Sequence, residues 1–180
     1  MITYIALLRG INVSGHRMIK MEDLKNVLSE LNFTNIRTYI QSGNIVFDSE
    51  KNDSTYLEKQ IEEKILNHFG FQVPVVIRTK SELNKIHDNN PFLRKRSEPA
   101  DKLHVTFFPE QPEKEYLKKI EGLLFLPDEF MSSGREVYLL CPNGYGRTKL
   151  TNQFFENKLK LTATTRNWKT IETLLQMSHT

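Results

Sequence analysis

A chain of 180 residues with 38% apolar and 10% aromatic content is long enough for one domain or two small ones, each with an ordinary core. Charged residues make up 26% and the net charge is only +3, so charge alone argues neither for nucleic acid nor for an acidic membrane. The single cysteine, Cys141, excludes an intrachain disulfide, no apolar run approaches the ~18 residues of a membrane span, and residues 1–10 lack the order of a signal peptide, so the expectation is a soluble, cytoplasmic protein with no membrane partner.

Residues 2–8 are almost continuously apolar, which suits a strand buried on both faces. Met21, Leu24, Leu28 and Leu31 recur at helical spacing and predict a helix over 20–31, with Glu22, Lys25 and Glu30 outside it. Ile36 to Ile40 and Ile45 to Phe47 read as short strands joined by a hairpin turn at Gln41-Ser42-Gly43-Asn44. Thr55 and Glu58 have the spacing of a capping box, and the helix behind them carries Leu57, Ile61, Ile65 and Phe69 until Gly70. A strand over 73–77 follows, then Thr79 and Glu82 cap a short helix with Leu83 and Ile86. That order, β-α-β-β-α-β and a helix, is the ferredoxin-like pattern. Residues 88–101, rich in Asn, Pro and basic side chains, read as a linker.

The order then recurs. Leu103, Val105 and Phe107 alternate as a strand, and Tyr116, Leu117, Ile120 and Leu124 give a helix face. Strands at 129–132 and 137–141 flank Ser133-Gly134-Arg135. A helix with Phe154, Phe155 and Leu159, a strand over 161–164 and a final helix with Trp168, Ile171, Leu174 and Leu175 complete the chain. The expected fold is α+β: two tandem ferredoxin-like (βαββαβ) units, 1–95 and 102–180 with a C-terminal helix, each an antiparallel sheet with helices on one face. Ser42-Gly43 and Ser133-Gly134 fall at the same hairpin, and Arg78 and Arg166 precede apolar pairs at the same offsets, which agrees with a duplication.

In such a unit the loop after the first strand and the hairpin after the second lie at one end of the sheet. Arg9, Gly10 and Asn12 should therefore sit beside Gln41, Ser42 and Asn44, either as a polar site or as turn residues alone. Gly10 and Gly15 have the spacing of a phosphate-binding loop, but His16-Arg17 stands where Lys-Ser/Thr is needed, which excludes a Walker-type site. In the second unit, Asn143-Gly144-Tyr145-Gly146-Arg147-Thr148-Lys149 leads to the helix holding Asn152, and Thr165-Arg166-Asn167 precedes the last helix. Both loops fall at one end, so Arg147, Thr148, Lys149, Asn152, Thr165, Arg166 and Asn167 are candidate ligands of one anion; the alternative is a pair of helix caps.

His104 and Cys141 fall on adjacent strands but lack a third orienting group, and the five histidines show no metal-ligand spacing, so no metal or cofactor is expected. Glu62-Glu63 and Asp128-Glu129 read as solvated carboxylates. The stacking aromatics of an RNA-recognition strand are missing from Ser42 to Phe47 except for Phe47.

Ala6-Leu7-Leu8-Arg9-Gly10-Ile11-Asn12-Val13, Tyr39 to Phe47, and the tail from Lys149 to Asn152 and from Ala163 to Trp168 resemble the bacterial family catalogued as domain of unknown function 1697 (DUF1697). Ser14 departs from the resemblance, where a second glycine is common. The resemblance implies a small bacterial protein of two similar α/β units and no established activity. The residues point to binding of a small anionic, phosphate-bearing ligand through the polar loops. The alternatives are an enzyme of unknown reaction using the same groups, a nucleic-acid binder stacking bases on Tyr145, Phe155 and Trp168, and a protein-interaction module.

Overall fold

The structure, a computed structural model, describes residues 1–51 and 53–179. It is an α+β protein with two four-stranded antiparallel sheets. The chain divides into two compact units, Met1–Asn84 with Thr173–Thr180, and Lys85–Glu172.

The first unit runs β1 (Ile2–Leu8), α1 (Met21–Ser29), β2 (Thr34–Tyr39), β3 (Asn44–Ser49), α2 (Ser54–Phe69) and β4 (Val75–Thr79). Its sheet order is β2-β3-β1-β4. Alternation along the strands turns Tyr4, Ala6, Leu8, Ile45, Phe47, Val75 and Ile77 toward the core that Leu24 and Leu28 of α1 and Leu57, Ile61 and Ile65 of α2 complete. Ile5 and Leu7, between them, are also buried, as the unbroken apolar run of β1 predicts.

The cap of α2 differs from expectation. Asp53, not Thr55, takes the N-cap and accepts the Tyr56 N–H at 3.1 Å. A carboxylate is at least as good an acceptor there as a hydroxyl, and it moves the start of the helix back. Glu58 and Glu62 do other work. Glu58 Oε1 accepts the Ile77 N–H and Glu62 Oε1 the Val75 N–H, each at 2.8 Å, so neither is the solvated group its type suggests. With Glu82 Oε2 on the Thr79 N–H at 2.8 Å, these carboxylates occupy alternate donors along the outer side of β4. An edge strand is thereby closed to further pairing.

Thr79 and Glu82 form the reciprocal box read from the sequence, since Thr79 Oγ1 also accepts the Glu82 N–H at 3.1 Å, and α3 (Lys80–Asp88) follows. The expected linker is instead a helix, α4 (Pro91–Arg96), with a 3-10 turn at Ala100–Lys102. Asn90 caps it by accepting the Phe92 N–H at 3.0 Å, Pro91 opens its first turn, and Phe92 is fully buried. One buried ring anchors a segment whose basic side chains, Arg94, Lys95 and Arg96, are exposed.

The second sheet has β5 (Leu103–Phe107), β6 (Glu129–Ser133), β7 (Glu136–Leu140) and β8 (Thr164–Asn167) in the order β6-β7-β5-β8. Between the strands lie α5 (Lys114–Lys118), α6 (Asn152–Leu159) and, after β8, α7 (Trp168–Met177). Phe108, Ile120, Val137, Leu139, Cys141, Leu150, Phe155, Leu159 and Ala163 form its core on the α6 side. The expected helix face through Leu124 stops early. α5 has five residues, and Leu124 is 80% exposed, carried in a turn where the Asp128 N–H donates to the Phe125 carbonyl at 3.0 Å and Leu126-Pro127 is cis. The last strand lies at 164–167 rather than 161–164, because Ala163 N–H is taken by Glu156 Oε1 at 3.0 Å and pairing with β5 begins at Thr164. Among the described residues no helix is long and apolar enough to cross a membrane.

Candidate functional site

The hairpin turn 41–44 and the loop after β1 do meet. Leu8 N–H donates to the Gly43 carbonyl at 2.8 Å. Asn12, in left-handed conformation, donates from Nδ2 to the carbonyls of Gln41 (2.7 Å) and Ile19 (2.9 Å), and its Oδ1 accepts the Ile19 N–H at 2.7 Å. One side chain thus ties three segments together, and its polar atoms are committed to that task. Asn44 is buried and donates to the Tyr39 carbonyl and the Ser42 hydroxyl, each at 3.0 Å. Arg9 and Gly10 are half-buried, while Gln41 and Ser42 are exposed. Between them Val13 to His16 make a small hairpin whose central residues, Ser14 (φ 51°) and Gly15 (φ 76°), both have the positive φ of a primed turn. A serine in that region costs about 1 kcal/mol relative to glycine.

In the second unit the candidates separate by sheet face. Thr165 Oγ1 lies 2.8 Å from Thr106 Oγ1 and donates to Asn152 Oδ1 at 2.7 Å, on the face that α6 covers. Alternation sends Arg166 to the opposite face, where it is buried and donates to the Thr164 hydroxyl (2.8 Å) and the Thr165 carbonyl (3.0 Å). Asn167 accepts the Thr170 N–H at 2.8 Å as the cap of α7, and Thr151 likewise caps α6. Thr148 is buried, and its hydroxyl accepts the Leu150 N–H at 3.1 Å.

Arg147 and Lys149 are exposed on the other side of that loop. With Asn143 they line a cleft of about 350 Å³, whose opposite wall is Leu124 to Asp128. Arg166 and Asn167 are not among its lining residues. Asn143 heads the polar run read from the sequence, whereas the 124–128 turn escapes sequence reasoning, since Leu124 and Phe125 look like core and only Leu126-Pro127-Asp128 signals a turn.

Cys141 is fully buried, and burial pushes its thiol up to about 11, so it is not a nucleophile near neutral pH. His104 stacks on Tyr145 at 4.9 Å, and burial holds its pKa below the usual 6.5 despite a backbone hydrogen bond at Lys102. Phe155 and Trp168 are buried, which removes both as stacking surfaces for bases. Among the described residues no group of three His, Cys, Asp or Glu side chains is placed to hold a metal.

No curated protein matches the chain. Among solved structures it is similar to the conserved bacterial protein SP0830 from Streptococcus pneumoniae, with a TM-score of 0.79 and 22% identity over 98% of each chain, a likeness of fold. The family model described as "Protein of unknown function (DUF1697)" matches residues 1–138, a span that holds both Arg9 to Val13 and Tyr39 to Phe47. The chain is a member of the DUF1697 family.

Proposed function

We propose that the protein binds a small anionic ligand and that Arg147, Lys149 and Asn143 hold it. The carrying observation is that these two cations and an amide line one cleft of about 350 Å³ while remaining open to water. A guanidinium offers a planar fork to a carboxylate or phosphate, and an ammonium adds a point charge. Of the remaining polar candidates, Thr148 holds the Leu150 N–H beside the cleft, Asn152, Thr165, Arg166 and Asn167 make their own hydrogen bonds elsewhere in the second unit, and Arg9, Gly10, Asn12, Gln41, Ser42 and Asn44 form the corresponding end of the first unit. The halves are read as two tandem ferredoxin-like repeats, 1–95 and 102–180, which the shared element order and the matching strand orders support.

The test is a thermal-shift series with inorganic phosphate, pyrophosphate, acetate and a nucleoside monophosphate on the wild type and on Arg147→Ala with Lys149→Ala. A ligand at ~100 times its Kd adds about 2.7 kcal/mol, several degrees for a chain of this size. The expected result is a shift with at least one anion that the double variant loses. A shift unchanged in the variant, or none with any anion, refutes the reading.

A further inference from the structure

Three of the four sheet edges carry features that disfavour pairing. β4 has Glu58, Glu62 and Glu82 on its outer donors. β2 is broken by a register shift between Thr34 and Arg37. β8 has four residues, and Glu156 takes the N–H just before it. β6 differs: its pairing with β7 is regular over five residues, and Met131, Ser132 and Ser133 are exposed.

Exposed apolar side chains of the second unit lie at the same edge. Leu123, Leu124, Leu126 and Met131 are 40%, 80%, 74% and 41% exposed. Leu123, Leu124 and Leu126 line a second cleft of about 440 Å³ with Phe130 and Ser132 of the strand, and Glu121 and Asp128 are also in its wall. The turn 124–128 divides this cleft from that of Arg147 and Lys149, and Asp128 lines both. Cations, leucines and carboxylates therefore follow one another beside an unguarded strand.

Strand register fixes their order. Glu129 of β6 pairs with Leu140 of β7, so the loop holding Asn143, Arg147 and Lys149 begins at the N-terminal end of β6. A chain added antiparallel to β6 has its C-terminus at that end. Five residues of it span roughly 17 Å. Asp128 also discriminates against a polyanion, whereas a segment with one carboxylate and a basic side chain suits both walls.

We propose that β6 binds the C-terminal segment of a partner polypeptide as an added antiparallel strand, with the terminal carboxylate at Arg147 and Lys149 and an aliphatic side chain against Leu124 and Leu126. Main-chain hydrogen bonds supply affinity, the leucines select an apolar side chain, and Glu121, in the cleft with Phe130 and Ser132, favours a basic residue upstream. The proposal rests on the anion site described above and assigns its ligand.

The probe is a fluorescein-labelled pentapeptide, Lys-Thr-Val-Thr-Leu, with a free carboxylate, compared by anisotropy with its C-terminal amide on the full chain. The free acid binds, the amide binds at least tenfold more weakly, and inorganic phosphate competes with the acid. Arg147→Ala abolishes the difference between acid and amide, and Leu124→Asp, at an exposed position, weakens both peptides. Equal binding of acid and amide, or binding indifferent to Leu124→Asp, overturns the proposal. Absence of peptide binding while phosphate still shifts the melting temperature through Arg147 and Lys149 overturns it but leaves the anion site standing. Silence with peptide and every anion overturns both.

Discussion

Gly43→Ala tests whether the turn at 41–44 is a structural keystone or a solvent-facing loop. Gly43 has φ 78°, and a Cβ built there lies 2.7 Å from Leu8 Cβ and 2.8 Å from Ile11 Cδ1. Leu8 Cβ is fixed to the backbone of β1, and the Ile11 terminal methyl is held by burial, since both residues are buried. The left-handed backbone costs an alanine about 1–2 kcal/mol. The overlap with β1 and the loop adds roughly 1–3 kcal/mol of overpacking. Gly15→Ala is the control, because Gly15 has φ 76° and no heavy atom within 4 Å of the added carbon. It carries the backbone cost alone. Urea unfolding followed by far-ultraviolet circular dichroism should place Gly43→Ala about 1–3 kcal/mol below Gly15→Ala. Amide exchange should accelerate at Leu8, whose N–H bonds the Gly43 carbonyl. Equal losses in the two variants would mean that the contact between turn and strand contributes nothing, and the packing argument would fall.

Two further predictions concern buried polar groups. Glu58→Ala leaves the Ile77 N–H without its carboxylate in a buried edge, a loss of about 1.5–3 kcal/mol that should raise exchange at Ile77 some tenfold or more; unchanged protection there would refute the edge-closing role. His104 has a folded pKa below 6.5, so the unfolded chain takes up the proton first as pH falls, and stability present above 6.5 is lost as pH drops toward the folded value. The difference between urea midpoints at pH 7.5 and pH 5.5 should therefore be smaller in His104→Gln than in the wild type, and an equal difference in the two proteins would remove His104 from the acid response.

The strands and helices with strong periodicity were legible because one face of each meets a core: β1, α2 and α7 follow directly from their apolar spacing. What failed to show was decided by tertiary partners. Glu58 and Glu62 look like ordinary helix carboxylates, and only their distance from β4 in space reveals the donors they hold. α4 carried a readable start in Asn90-Pro91, but Arg94-Lys95-Arg96 hid a helix that one buried ring, Phe92, holds in place. Leu124 matched a helix face by spacing although the helix ends at Lys118, so spacing alone extended a pattern the backbone does not continue. At the candidate site the glycine-rich loop with Arg147 and Lys149 was legible as chemistry. Its opposite wall was not, because nothing local tells an exposed leucine from a buried one. Alternation separates Arg166 from Thr165 only because the strand runs over Thr164–Asn167 rather than 161–164, so the sequence reading, which ended the strand at 164, could not apply it.

The two halves share an order of elements and differ in what their loops are free to do. In the first, the Asn12 side chain bonds three segments and Asn44 closes its own turn, so the residues that look most like a site hold the backbone. In the second, Thr151, Asn167 and Glu156 take over capping, and Arg147 and Lys149 stay in water. Solvated cations attract an anion only weakly across salt, with a screening length of about 8 Å at physiological ionic strength. Two such charges therefore need neighbouring contacts to bind with useful affinity. The exposed leucines and the open edge of β6 supply contacts of that kind within the same unit. A ligand that used the cations alone would lose most of its affinity between low and physiological salt, whereas one that also lay along β6 would retain the apolar and main-chain part.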